Sequence, residues 1–207
     1  MRRRHHPGLA AVALALTATL TACGGDGTPT APSSATAGSS SGVDDAVNAD
    51  DYNNADVMFA QMMIPHHQQA VEMAELAPGR AADPAVLTLA QQIGTAQAPE
   101  IETMTGWLAT WGRPTAMPGA GGHGGGHSTD GMGMMSEDDM TALRRASGQD
   151  FDRMFLEMMI RHHGGAIAMA RTEQRDGRFP DAVALAGAIE STQAAEVETM
   201  KGLLGTG

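Results

Sequence analysis

Two segments of the chain carry the same potential metal ligands in the same order. The first, MMIPHHQQAVEMA, begins at Met62, and the second, MMIRHHGGAIAMA, begins at Met158, 96 residues later. Each keeps a Met pair, a His pair and a later Met: Met62, Met63, His66, His67 and Met73, then Met158, Met159, His162, His163 and Met169. Thioether sulfur and imidazole nitrogen are ligands for soft and borderline metal ions. The spacing therefore indicates one possible metal-binding unit present twice.

The offset of 96 residues continues downstream without a gap. QAPEIETM from Gln97 aligns with QAAEVETM from Gln193, and 22 of the 51 residues from 58 to 108 are identical to their counterparts. The second pattern contributes a Gln, a Glu and a Met to each copy, which are Gln97, Glu100 and Met104, then Gln193, Glu196 and Met200. A repeat of this kind is usually one structural unit.

Each repeat is predicted to form a pair of helices. Apolar residues recur at helical spacing over residues 57–77, after a possible N-cap at Asn53 or Asn54, and a second helix follows from Asp83-Pro84 to about Trp111. In the second repeat, a helix opens at Ser136, is weakened at Ser147-Gly148 and continues to 175, and a last helix covers 180–204. Short connections make neighbouring helices antiparallel, so the sequence predicts an all-α four-helix bundle with an approximate two-fold axis.

Polar residues fall on the apolar faces of these helices. His66 lies near the middle of its face and His67 at the edge, while Gln97 and Glu100 lie inside the face of the next helix. A buried polar group needs a partner. Two partners remain possible, namely a Glu–His hydrogen bond within the core or a metal ion. The flanking Met pairs and the repetition of the whole set favour the metal, with Glu100 and Glu196 counted among its ligands beside the repeated His and Met residues.

The ligand types favour copper over iron. Ferritin-like di-iron bundles use a Glu-x-x-His motif, whereas the corresponding spacing here is Met63-x-x-His66 and Met159-x-x-His162. A soft thioether thus replaces a hard carboxylate, and thioether with imidazole suits copper, Cu(I) above all. The intervening loop is a separate case, because His123 and His127 with four nearby Met residues fit either a loose copper trap or a plain Gly-rich connector.

The N-terminus has the features of a bacterial lipoprotein signal. Three arginines precede an apolar run over residues 9–20, and the run ends in Leu20-Thr21-Ala22-Cys23, which resembles a lipobox. We expect cleavage before Cys23, lipidation of its thiol and anchoring on the outer face of the bacterial cell membrane. The predicted organisation is a signal at 1–22, a flexible tether at 23–49 and a bundle at 50–207, which comprises repeat one (50–112), the loop (113–135) and repeat two (136–204).

The charge balance argues against nucleic acid as a partner. Removal of the signal would leave 10 Lys+Arg against 24 Asp+Glu, a net charge of −14. Nucleic-acid binding requires basic patches, and a strongly acidic balance disfavours them. A negative charge suits a domain that attracts cations.

The repeated motifs resemble the bacterial family called domain of unknown function 305. The resemblance rests on MMIPHHQQAVEMA, MMIRHHGGAIAMA, QAPEIETM and QAAEVETM and covers about residues 50–204. It implies a ferritin-like bundle outside the cytoplasm, and some members are similar to copper-binding proteins of copper resistance. The chain departs from a uniform repeat at Arg161, where the first copy has Pro65, and at Ala195, where the first copy has Pro99.

The sequence leads to one main hypothesis and two rivals. We expect a lipid-anchored copper-binding protein for sequestration or delivery, with no catalytic residues and with an unidentified copper-handling protein as a possible partner. The first rival is a metal oxidase that uses His66, His162, Glu100 and Glu196. The second is a purely structural module whose His and Glu residues form a buried hydrogen-bonded network.

Overall fold

Helices account for most of residues 51–116 and 132–205, which are the part of the chain that the computed structural model describes. They are α1 (Asn54–Glu75), α2 (Pro84–Thr110), α3 (Glu137–Arg145), α4 (Gly148–Asp176) and α5 (Pro180–Gly205). Within these segments there is no β-strand, and Ala81 and Gly148 form an isolated bridge. The all-α class predicted from the sequence is confirmed. Among these helices, none has both the length and the hydropathy of a membrane span.

Helix starts follow the capping residues of the sequence. The Asn53 side chain accepts hydrogen bonds from the first turn of α1, and Asp56 accepts one in return from the Asn53 N–H, which makes a capping box. Asp83 caps α2, with Pro84 at its first position, and Ser136 forms a second capping box at α3. These local bonds satisfy N–H groups that a helix N-terminus leaves without intrahelical partners.

Helices α3 and α4 are separate, whereas the sequence predicted one helix that is weakened at Ser147-Gly148. Ala146 and Ser147 are extended, and Gly148 has a φ of 64°, a left-handed conformation that glycine adopts more readily than other residues. The Gly148 N–H donates to the Arg80 carbonyl at 2.7 Å, which ties the break to the turn between α1 and α2. The described segments thus form four long helices and one short one.

The four long helices pack as two antiparallel pairs, α1 with α2 and α4 with α5, and α1 also packs against α4. Their buried apolar residues form two clusters. The first apolar cluster includes Met73, Ile93, Phe151, Phe155, Met158, Met159 and Met200. The second apolar cluster includes Phe59, Met63, Met104, Leu108, Trp111, Met169 and Ile189.

Two buried aspartates join the repeats in a reciprocal way. Asp56 on α1 accepts hydrogen bonds from the backbone N–H groups of Arg178 and Phe179, just before α5, both at 2.9 Å. Asp152 on α4, which is 96 residues later, accepts from Ala82 and Asp83, just before α2. Helix α1 therefore holds the start of α5, and α4 holds the start of α2, as an approximate two-fold relation between the repeats requires.

Candidate metal centre

A layer of polar side chains crosses the bundle between the two apolar clusters. On α1 the second cluster ends at Ile64 and the first begins at Ala70, with the His pair between them, and the other long helices change cluster in the same way. We call this set the histidine layer. Its members come from all four long helices and are His66, His67, Gln97, Glu100, His162, His163, Gln193 and Glu196. The four imidazoles are each no more than 1% exposed.

The second histidine of each pair bonds to a glutamate of the same repeat. His67 Nε2 lies 2.7 Å from Glu100 Oε2, and His163 Nε2 lies 2.6 Å from Glu196 Oε2. A carboxylate only accepts, so each Nε2–H donates, and Nδ1 becomes the lone-pair nitrogen in the neutral ring. Carboxylates commonly orient histidine ligands of metals in this manner. The hydrogen bonds of the structural-network hypothesis are thus present, and they also leave a nitrogen ready for a metal.

The first histidines of the two pairs meet at the centre of the layer. The ring centroids of His66 and His162 are 3.7 Å apart, with the planes inclined by 37°. His66 Nε2 lies 2.9 Å from the Met132 carbonyl oxygen, to which it donates. Neither nitrogen of His162 makes a hydrogen bond of good geometry to the described residues. The copy of the motif on α1 and the copy on α4 therefore each bring one histidine to the centre of the layer.

Burial keeps this central pair neutral. Desolvation lowers the pKa of His66 from its usual 6.5 to about 4, against the opposing bond to Met132 and with help from repulsion by His67 and His163. The pKa of His162 also lies well below 6.5. Desolvation is the largest cause, and repulsion from His66, His163 and His67 adds to it. Together they outweigh the weak contact with the His66 backbone, which alone would raise the pKa. Because imidazole binds metals in its neutral form, protons do not compete for these two side chains near neutral pH.

The layer contains an unusual number of buried polar atoms without a hydrogen-bond partner among the described residues. They are Nδ1 of His66, His67, His162 and His163, Nε2 of His162, both amide atoms of Gln97 and Oε1 of Gln193. Most buried polar atoms in proteins are paired, because leaving one unpaired costs about 1–3 kcal/mol. So many orphaned nitrogens in one layer fit a bound metal ion.

The repeated methionines border the layer on both sides. Met63, Met73 and Met159 are fully buried, Met158 and Met169 nearly so, and Met62 is partly buried. One helical turn separates Met62 from His66 and Met63 from His67, so these pairs share a helix surface. In residues 51–116 and 132–205, no three His, Asp or Glu side chains come together in a metal-binding arrangement. Thioether side chains lie near the four histidines along the same helices, so sulfur is available beside the imidazole nitrogens.

The structure pairs some predicted residues differently from the sequence hypotheses. Glu100 and Glu196 contact His67 and His163, whereas the oxidase hypothesis joined them to His66 and His162. His67, placed at the edge of an apolar face by the helical projection, is fully buried. Cys23, His123 and His127 lie outside the described residues.

Sequence reasoning missed three important residues, two beside the histidine layer and one farther along α4. The Met132 carbonyl holds His66, and Gln69 bonds to both backbone groups of Met135, at 2.7 and 2.9 Å. The role of a backbone carbonyl cannot be predicted from a sequence. The sequence did show that the Gly-rich loop ends in a Met-rich segment, which was the one available signal for this contact. Glu173, the third, is a buried acid at the position where repeat one has Ala77. That difference between the repeats was a detectable signal.

Comparisons with known proteins agree with this architecture. A DUF305 fragment from Deinococcus radiodurans is 33% identical with a TM-score of 0.67, and the match covers 74% of this chain and 97% of that one. A candidate secreted DUF305 protein from Streptomyces coelicolor is 30% identical with a TM-score of 0.65, over 73% and 93%. CopM in its Cu(I)-bound form is 33% identical with a TM-score of 0.60, over 73% and 96%. No curated protein matches the chain.

A family model matches nearly the same part of the chain. The model described as domain of unknown function (DUF305) matches residues 56–204, which include the four long helices apart from a few terminal residues and the whole histidine layer. The repeats, the bundle and the solved relatives therefore lead to one conclusion: this chain belongs to the DUF305 family.

Proposed function

We propose that this protein binds copper outside the cytoplasm, for sequestration or delivery, through the histidines and methionines of the histidine layer. The observation that carries the proposal is the set of buried, unpaired imidazole nitrogens between two methionine-containing clusters. Neutral imidazole and thioether together form a soft ligand set, and copper is the ion that such a set favours. CopM, with the same fold, has been solved in Cu(I)-, Cu(II)- and Ag-bound forms, which supports the choice.

The histidines are the central ligands in this proposal, and methionines complete the set. Candidate sulfur ligands are Met62, Met63, Met73, Met158, Met159 and Met169. Glu100 and Glu196, counted among the ligands in the sequence hypothesis, act better as acceptors that orient His67 and His163. Cu(I) is the favoured state, because thioether sulfur and imidazole nitrogen form a soft ligand set that suits this ion.

The proposed location is the outer face of the bacterial cell membrane, with a lipid at Cys23 as the anchor. The lipobox-like Leu20-Thr21-Ala22-Cys23 supports the anchor, and the candidate secreted relative supports a place outside the cytoplasm. The acidic net charge suits a site that collects cations from its surroundings. A copper-handling protein that receives the ion would be the partner for delivery.

A structural module is the second candidate, and the His67–Glu100 and His163–Glu196 hydrogen bonds favour it. Those bonds stabilise a buried layer whether or not a metal is present. The two functions differ in what they require of the central His66–His162 pair, which has unpaired nitrogens and no glutamate partner. A structural network would leave those nitrogens unsatisfied.

Metal analysis of the purified protein separates these functions. We expect the chain without its signal, incubated with Cu(I) and desalted against a weak chelator, to retain copper and to melt at a higher temperature, because a ligand that binds the folded state stabilises it. Zinc and magnesium, tested in parallel, should be retained far less. No retained copper and an unchanged melting temperature would support the structural module instead.

A further inference from the structure

We propose that a short backbone segment, Met132–Met135, orients His66 and fixes its tautomer, so that the two repeats contribute unequally to the metal site. We call this segment the strap. In this inference, which rests on the proposed copper function, His66 Nδ1 is the first nitrogen to bind the metal. His162 is then recruited as the second.

The strap is tied to α1 at both ends. Its first residue, Met132, accepts the His66 Nε2–H at its carbonyl, and its last, Met135, exchanges two hydrogen bonds with the Gln69 side chain. The Met135 side chain is 5% exposed, and its sulfur lies 2.9 Å from Arg161 Nη2 on α4. These contacts fix the strap against both histidine-bearing helices.

The strap also lies directly on the backbone of α4. A Cβ atom added at Gly165 would overlap the Met132 carbonyl oxygen, and one added at Gly133 would overlap the Arg161 carbonyl oxygen. Gly133 has a φ of 73°, which other residues rarely adopt. Any side chain at Gly165 would therefore displace the carbonyl that holds His66.

The repeat explains why only one histidine is held in this way. Gly165 in repeat two corresponds to Gln69 in repeat one. The Gln69 side chain on α1 binds the strap, whereas Gly165 on α4, which has no side chain, leaves room for it. His162 has no such carbonyl partner of good geometry among the described residues. One repeat thus has a pre-oriented imidazole, and the other does not.

The chemical consequence is a fixed tautomer. A carbonyl accepts only from N–H, so the Met132 bond places the His66 proton on Nε2 and the lone pair on Nδ1. Histidine ligands of metals usually donate their other ring N–H to a carbonyl or carboxylate, which sets the ring orientation. His66 meets this condition before the metal arrives. The tautomer of His162, in contrast, becomes fixed only when the metal binds.

Adjacent glycines on α4 provide a matched test. Gly165→Ala pushes the strap away, whereas Gly164→Ala adds the same methyl group where nothing lies within 4 Å. We expect the nitrogen chemical shifts of His66 in the metal-free full chain to show the Nε2–H tautomer in wild type and G164A, and a mixture of tautomers in G165A. The affinity for the first equivalent of Cu(I) should fall by about 10-fold or more in G165A alone.

Two outcomes would overturn the inference. One is an Nε2–H tautomer and a wild-type Cu(I) affinity in G165A, and the other is equal losses in G164A and G165A. If G165A fails to fold, Gly133→Ala, which displaces the strap from the loop side, decides the matter by the same measurements. The tautomer measurement needs no metal, so a wild-type protein that binds no copper would refute the proposed function without deciding the role of the strap.

Discussion

Replacement of His66 and His162 by alanine should weaken Cu(I) binding by about two orders of magnitude or more, since it removes ligands rather than their supports. The two rings meet at the centre of the layer and are neutral at pH 7 because burial lowers the pKa of both. Rigid helices hold them, so the metal site requires little ordering. The measurement is a competition titration with a Cu(I) chelator, with circular dichroism to verify that the variant stays helical.

The matched control removes the two histidines of the Gly-rich loop, His123 and His127. They stand among glycines, and ordering such backbone costs about 1–2 kcal/mol for each residue, so we expect a much smaller loss of affinity. A larger loss in this control than in the helical variant would mean that the repeated His pairs are structural and that the loop carries the binding.

Glu173→Gln should stabilise the protein at alkaline pH. Glu173 is 1% exposed and lies against Asp56, and burial followed by its hydrogen bond with Asp56 raises its pKa to about 8. Burial alone would raise the pKa of Asp56, but the bonds from Glu173 and from the Asn53, Phe179 and Arg178 N–H groups lower it. Glu173 therefore keeps its proton at neutral pH and donates it to the Asp56 carboxylate.

The pH dependence follows from that proton. As the pH rises from the ordinary value of 4.5 towards 8, the unfolded chain releases the Glu173 proton while the folded protein retains it. The free energy of unfolding therefore falls across this window and levels off above it. The amide that E173Q introduces donates without titrating, so at pH 8 we expect the variant to be more stable by a few kcal/mol and its pH profile to be flatter.

Urea unfolding of the metal-free protein at several pH values between about 5 and 9 measures this effect. Glu157→Gln serves as the control, because it makes the same chemical change on α4 where the side chain is 56% exposed. Parallel profiles for E173Q and wild type would show that the buried acid does not hold a proton. A similar gain in the Glu157 variant would point to net charge as the cause.

The repeat and its apolar spacing were enough to predict the main helices and their pairing. Caps at Asn53, Asp83 and Ser136 locate three helix starts, because capping depends on residues close in sequence. The break at Gly148 was underestimated, since a tertiary contact with Arg80 fixes it. Local signals therefore predicted where helices begin, and long-range contacts decided where one helix became two.

The candidate site was predictable in its residues and less so in its connections. The motif identified all four histidines, but helical projection could not tell which of them faces a glutamate and which faces its symmetry mate. These contacts depend on the rotation of α1 and α4 about their axes in the packed bundle. They also depend on the strap, which contacts His66 through a backbone carbonyl. The roles of Asp56 and Asp152 were missed for a similar reason, because each acts on the other repeat.

X-ray absorption spectroscopy of the Cu(I)-loaded wild-type protein identifies the atoms that bind the metal. If copper lies in the histidine layer between the methionine-containing clusters, imidazole nitrogen and thioether sulfur bind it. We then expect a first shell with both nitrogen and sulfur, outer-shell imidazole scattering, and loss of that imidazole signal in the variant lacking His66 and His162. A first shell of oxygen or nitrogen alone, or an imidazole signal that persists in the variant, would contradict this placement of copper.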